Sequence, residues 1–153
     1  MKKFLSENNK INDNWNALSV LSNNASTVGA YDLDILDNET IDNVLSNQFE
    51  LVFLFGQDNL NIKKKNEFIV YIGTHGDRGA EMADLILPSA AYTEQDGYYT
   101  NLEGNLQLAF KASYPPGEAK EDWEIVNEVS KKLKGKSLYT NKQELIDLSL
   151  IHI

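Results

Sequence analysis

Three apolar runs mark the middle of the chain: FELVFLFG at 49–56, FIVYIG at 68–73 and the shorter DLILP at 84–88. None alternates with polar residues, and Gly56 and Pro88 close the first and third. Continuous apolar runs of this length predict strands buried on both faces. Such strands with helices between them favour an α/β fold, a mostly parallel sheet with flanking helices. Upstream, residues 1–14 read as a loose polar segment. From there Trp15, Leu18, Leu21, Ala25 and Val28 recur every three or four residues, which predicts an amphipathic helix capped by Asp13 or Asn14. YDLDILD shows no clear period, and Asp37 then precedes a short second helix carrying Ile41, Val44 and Leu45.

Beyond Pro88 the pattern changes. Leu106, Leu108 and Phe110 alternate after a turn at Glu103-Gly104-Asn105, so residues 98–110 predict a hairpin-like excursion. Pro115-Pro116 forbids helix locally. Ala119, Trp123, Val126, Val129, Ser130 and Leu133 then line one side of a helix ending at Gly135, with Trp123 the expected anchor onto the domain. Lys131, Lys132 and Lys134 suit the negative end of its dipole. Thr140 and Gln143 suggest a capping box for a last helix with Leu145, Ile146 and Leu148. Residues 15–148 thus form the domain, and residues 149–153 read as a non-native tail.

Composition narrows the function classes. With 153 residues there is room for one domain or a piece of a larger one. A net charge of −9 argues against a nucleic-acid binder, and Lys63-Lys64-Lys65 reads as a solvated loop between apolar segments. The absence of cysteine removes disulfides, thiolate zinc sites, cysteine nucleophiles and ordinary iron–sulfur ligation. No apolar stretch approaches the roughly 20 residues that span a bilayer, so no direct membrane insertion is expected. The first residues are too quickly polar for a signal peptide.

Gly73, Gly76 and Gly79 invite a phosphate-binding reading, but their spacing is not that of a dinucleotide or P-loop motif. Between Gly79 and Asp84 there is room for about one helical turn, too little for the helix N-terminus that holds pyrophosphate. Asp77, Glu81 and Asp84 add negative charge there, and Arg78 offsets one of them. The stretch therefore reads as a tight connection in which glycine supplies positive φ. A Ser89–His75–Asp77 triad lacks a nucleophile elbow. A metal site from His75, Asp77 and Glu81 does not close, because the other histidine is His152. Glu94 and Asp96 beside Tyr98-Tyr99 read as a solvated turn around Asp96-Gly97. No catalytic, cofactor-binding or metal residue is assigned.

The motifs HGDRGA, ADLILP, AAYTE, TNLEG and PPGEAKEDW occur in one order from residue 75 to residue 123. In that order the chain, from about Trp15 to Leu148, resembles the C-terminal part of the large iron–sulfur subunits of NADH-quinone oxidoreductase, respiratory complex I. That region is similar to molybdopterin oxidoreductases. The resemblance implies a scaffold role without molybdenum cofactor, contacts with other subunits of the peripheral arm, and no catalysis by this segment itself. Iron–sulfur clusters would belong to a cysteine-rich N-terminal part that these residues do not include, so the chain reads as a fragment or one half of a split subunit. The location implied is the matrix side of the mitochondrial inner membrane or the cytoplasmic face of a bacterial inner membrane. One departure is Asn105, which stands where the family usually has an arginine that a pterin phosphate would want. The alternatives are a cofactor-binding fragment of a molybdopterin-dependent oxidoreductase and, third, a free-standing nucleotide-binding module.

Overall fold

The computed structural model describes residues 1–12, 15–18, 21–35 and 38–150. The proposed caps Asp13 and Asn14, the Asp37 that precedes the second helix, and His152 lie outside them. The centre is a parallel three-stranded sheet of β3 (Leu51–Phe55), β4 (Phe68–Gly73) and β5 (Leu85–Pro88), ordered β3-β4-β5. The chain is α/β, with helices flanking this sheet. Register places Val52 beside Ile69 and Leu54 beside Tyr71 on one face, and Phe53 beside Val70 and Phe55 beside Ile72 on the other. Leu85 and Leu87 continue that second face beside Val70 and Ile72.

Only the central strand is buried on both sides, as the sequence predicts for all three. Ile69 through Ile72 are buried, whereas β3 alternates, with Val52 and Leu54 buried and Leu51, Phe53 and Phe55 exposed. On β5, Leu85 and Ile86 are exposed. The first face packs Val52, Leu54, Ile62, Ile69 and Tyr71 under Val44 of α3 (Asn38–Leu45) and Ala80 and Met82 of α4 (Arg78–Met82). The second packs Val70 and Ile72 against Ile125 of α5 (Asp122–Lys134).

The segment from Trp15 to Val28 is a further correction. Trp15–Asn16 is a two-residue strand, β2, paired antiparallel with β1 (Ile11–Asn12), and the helix α2 covers only Thr27–Asp32. The apolar spacing is helical, but local polar groups compete for the backbone. The Ser22 hydroxyl accepts the Asn24 N–H and donates to the Asn24 carbonyl, and Thr27 Oγ1 donates to that carbonyl too. A helix α1 occupies Lys2–Glu7, within the stretch read as loose. α2 docks on the hairpin of β6 (Gly97–Thr100) and β7 (Leu106–Ala109), where a Cβ on Gly29 would lie 2.4 Å from Thr100 Oγ1. Gly104, at φ +84°, closes the hairpin turn where the sequence places it.

Helix α5 begins one turn later than its apolar residues imply. Glu124 accepts the Glu121 N–H at 3.2 Å, and Gly135 ends the helix at φ 72°. Its buried positions are Ile125 and Ser130, while Trp123, Val126 and Val129 are half-buried and Leu133 is 73% exposed. At α6 (Lys142–Leu150) the capping partner of Thr140 is Glu144, which accepts both its N–H and its hydroxyl; Gln143 bonds Asp147 instead.

Two carboxylates hold the loop before β4. Lys64 Nζ donates to Asp84 at 2.6 Å and to the Met82 carbonyl, so the lysine run is not merely solvated. Asp84 also accepts the Ile69 N–H at 2.8 Å. Buried Glu67 accepts from the Lys65 N–H and Asn47 Nδ2. The Lys64 hydrogen bond, then the Ile69 N–H, holds Asp84 below the usual carboxylate range; the backbone N–H of Glu67 itself, then those of Lys65 and its neighbours, does the same for Glu67. Both carboxylates therefore stabilise the fold above the ordinary carboxylate pKa of about 4, and that contribution is lost as pH falls through their depressed values. The urea midpoint should fall on acidification below about pH 4, and Asp84→Asn should make the fall shallower. An equal acid slope in parent and variant would refute the assignment.

Candidate functional site: the crevice at the strand ends

In parallel α/β sheets ligands gather outside the carboxyl ends of the strands. Here a crevice of about 210 Å³ opens at that edge, formed by Gly56 after β3, Gly73 at the end of β4 with Thr74 and His75 after it, and Ser89 and Ala90 after β5. Asp58, Asp77 and Asp122 complete it. The parallel register brings together Gly73, His75, Asp77 and Ser89, which the sequence offers as separate candidates.

Their bonding does not make a catalytic set. His75 Nδ1 pairs with Thr74 Oγ1 at 2.7 Å, whereas the Ser89 hydroxyl donates to Asp122 at the start of α5. Ser89 is buried, at 7% exposure, and its hydrogen-bond partner is Asp122 and not the histidine. Arg78, the first residue of α4, does not line the crevice and donates to Asn61 at 2.8 Å. Among the described residues no three His, Asp or Glu side chains are placed to hold a metal ion. Glu94 accepts the Ala91 N–H within a turn, and Asp96 accepts the Lys111 N–H across the base of the β6–β7 hairpin. Asn105 sits in the hairpin turn, bonded to Glu103.

Asp58 and Tyr71 are the pair that sequence reading passes over. Asp58 accepts the Tyr71 hydroxyl at 3.1 Å with one oxygen and the Gly79 N–H at 2.8 Å with the other. Burial, then the hydrogen bond and charge of Asp58, push the Tyr71 phenol up to about 12. A phenol held protonated donates its hydrogen bond to Asp58 at neutral pH. The available signal was a lone tyrosine in an aliphatic strand, since a buried Tyr hydroxyl needs a partner.

The three glycines divide by role, and none has positive φ. A Cβ on Gly73 would stand 2.5 Å from the Tyr71 ring, and one on Gly79 would stand 2.4 Å from it and 2.7 Å from the Gln57 carbonyl. At Gly76 a Cβ meets nothing within 4 Å. Close approach, not turn geometry, explains the first and third. Gly79→Ala should destabilise the chain by about 1–3 kcal/mol, because neither the backbone carbonyl nor the packed ring can yield cheaply. Gly76→Ala should change stability by less than about 0.5 kcal/mol. Similar thermal shifts for the two variants would defeat this account.

Comparison with known proteins adds an independent line. Residues 1–132 match the family model of molybdopterin oxidoreductase. The chain is 46% identical over 144 residues to the G subunit of the NADH-quinone oxidoreductase of Rickettsia bellii (strain RML369-C), covering 94% of this chain and 21% of that protein. It is 41% identical over 136 residues to the NADH-ubiquinone oxidoreductase 75 kDa subunit of Reclinomonas americana, covering 86% and 20%. Against the mitochondrial NADH-ubiquinone oxidoreductase 78 kDa subunit of Candida albicans the identity is 40% over 140 residues, covering 90% and 19%. The chain spans about a fifth of the length of the curated relatives it matches.

Proposed function

The chain belongs to the molybdopterin oxidoreductase family, and from that premise we propose that it is a structural part of the iron–sulfur subunit of an NADH:quinone oxidoreductase, respiratory complex I. It contributes to electron transfer from NADH to quinone only within that assembly, whose clusters belong to polypeptide outside these residues. Its partners are other subunits of the peripheral arm, on the matrix side of the mitochondrial inner membrane or the cytoplasmic face of a bacterial one. The observation that carries this reading is the similarity to the rickettsial oxidoreductase subunit, continuous over nearly the whole chain. Among the described residues no helix is long and apolar enough to cross a membrane.

The strand-end crevice does not fit the pterin cofactor that the family name implies. Its volume of about 210 Å³ is small for an organic cofactor, and Asp58, Asp77 and Asp122 line it without any lysine or arginine. A pterin phosphate would be repelled there. Asn105 supplies no cation either.

The test is to tag the chain in its own cells, solubilise the membranes mildly and recover it. Co-purification with NADH:quinone reductase activity and iron–sulfur signals is expected, while the isolated chain should oxidise no NADH and hold no stoichiometric iron, molybdenum or zinc. Recovery of the chain apart from that activity, or with bound molybdenum, would overturn the proposal.

A further inference from the structure

The sheet face under α5 is apolar at every register position, from Leu51, Phe53 and Phe55 on β3 to Leu85 and Leu87 on β5. A parallel sheet ordinarily has both faces covered. Here α5 reaches Val70 and Ile72 through Ile125, yet Leu51, Phe53, Phe55, Phe68 and Leu85 remain 39–49% exposed. An apolar groove of about 200 Å³ runs beside the helix on the β3 side, floored by Phe53, Phe55 and Ile72 and walled by Val126 and Val129.

The area of the whole chain agrees. It exposes 11420 Å², against about 7,800 Å² expected for a compact monomer of its mass. The surplus, about 3,600 Å² on this chain alone, is several times the roughly 800 Å² that each partner of a standard interface buries. The relatives carry about four-fifths of their length outside the part matched here.

We propose that the β3 side of this face, Leu51, Phe53, Phe55 and Phe68 with Val126 and Val129, is the seat of an amphipathic helix from the remainder of the same iron–sulfur subunit. The inference rests on the complex I reading above. A helix is the occupant because the groove runs alongside α5, and a second helix packed beside the first at 8–10 Å completes the layer over a parallel sheet. The groove walls and floor are apolar, so the contacting stripe of that helix is aliphatic or aromatic and bears no charge.

The chain has no cysteine, so single cysteines report on this face without background. In the recovered complex, Leu51→Cys and Phe53→Cys should react with a maleimide at least tenfold more slowly than in the isolated chain, and fully after denaturation. With p-benzoylphenylalanine at position 53, irradiation should join the chain to a peptide that aligns with the iron–sulfur subunit of the relatives outside the region matched here. Equal maleimide rates in complex and isolated chain, or a cross-link to a different subunit or a second copy, would overturn the seat. Those results would leave the complex I reading standing if the chain still co-purifies with the reductase. Should the cysteine variants fail to assemble, the benzophenone variant, which keeps an aromatic ring at position 53, decides the question by its cross-linked peptide.

Discussion

Tyr71→Ala should lower the stability of the chain by about 3–5 kcal/mol, read as a urea midpoint shift against the parent. Tyr71 is 2% exposed at the centre of β4, between the ladders to β3 and β5. Its ring fills the space that Gly73 and Gly79 leave empty, so removing it opens a cavity that these two residues cannot refill. The hydroxyl also holds Asp58, which in turn holds the Gly79 N–H at the start of α4. One side chain therefore fastens the loop after β3, the strand β4 and the turn into β5. Tyr71→Phe separates the contributions. It keeps the ring and removes one hydrogen bond, so about 1 kcal/mol should be lost. The difference between the two variants is then the packing of the ring. A cost for Tyr71→Ala near that of Tyr71→Phe would show that the ring does not bear the fold.

The second large effect is expected at Ile125, and it reverses what sequence spacing implies. Trp123 is the bulkiest residue on α5 and lies on the apolar stripe, but in the structure it is half-buried and its Nε1 donates to Glu121 at 3.0 Å. Glu121 also meets Lys142 Nζ at 2.5 Å, and the same ammonium donates to the Asp96 carbonyl at 2.6 Å. Trp123 thus belongs to a polar clasp joining α5, α6 and the hairpin entry, whereas Ile125 enters the core between Val70 and Ile72. Ile125→Ala should cost about 2–4 kcal/mol. Trp123→Ala should cost less, about 1–2 kcal/mol, since part of the ring surface is already in water. A loss at Ile125 also releases the only helix over that sheet face among the described residues, so Ile125→Ala should raise protease sensitivity along α5 first. If Trp123→Ala proved the more damaging of the two, the anchoring role would return to the tryptophan.

Both predictions turn on what the amino-acid pattern can and cannot express. The runs at 51–55, 68–73 and 85–88 announce their strands, because a short apolar stretch stopped by glycine or proline has few other uses. Their parallel order follows from the lack of alternation and from connections of about a dozen residues, too long for tight hairpins. The hairpin at 97–109 is legible from alternation around Gly104, and the end of α5 from its lysines and Gly135. The lack of cysteine is equally plain in composition. These are local signals, carried by residues within a few positions of each other.

What the tertiary structure decided is contact between residues far apart. Whether Phe53 is covered depends on a helix seventy positions downstream, and α5 covers only part of that face. Whether Gly79 is needed for a left-handed turn or for closeness depends on a ring eight residues earlier, brought beside it by the crossover from β4 to α4. The helical spacing from Trp15 to Val28 is present, but the Ser22 and Thr27 side chains bond the Asn24 backbone, and α2 finds its support on Thr100 of the hairpin. Periodicity states which side of an element is apolar. It does not state whether anything is there to cover that side, because burial depends on the partner's position, and three-dimensional packing alone supplies it.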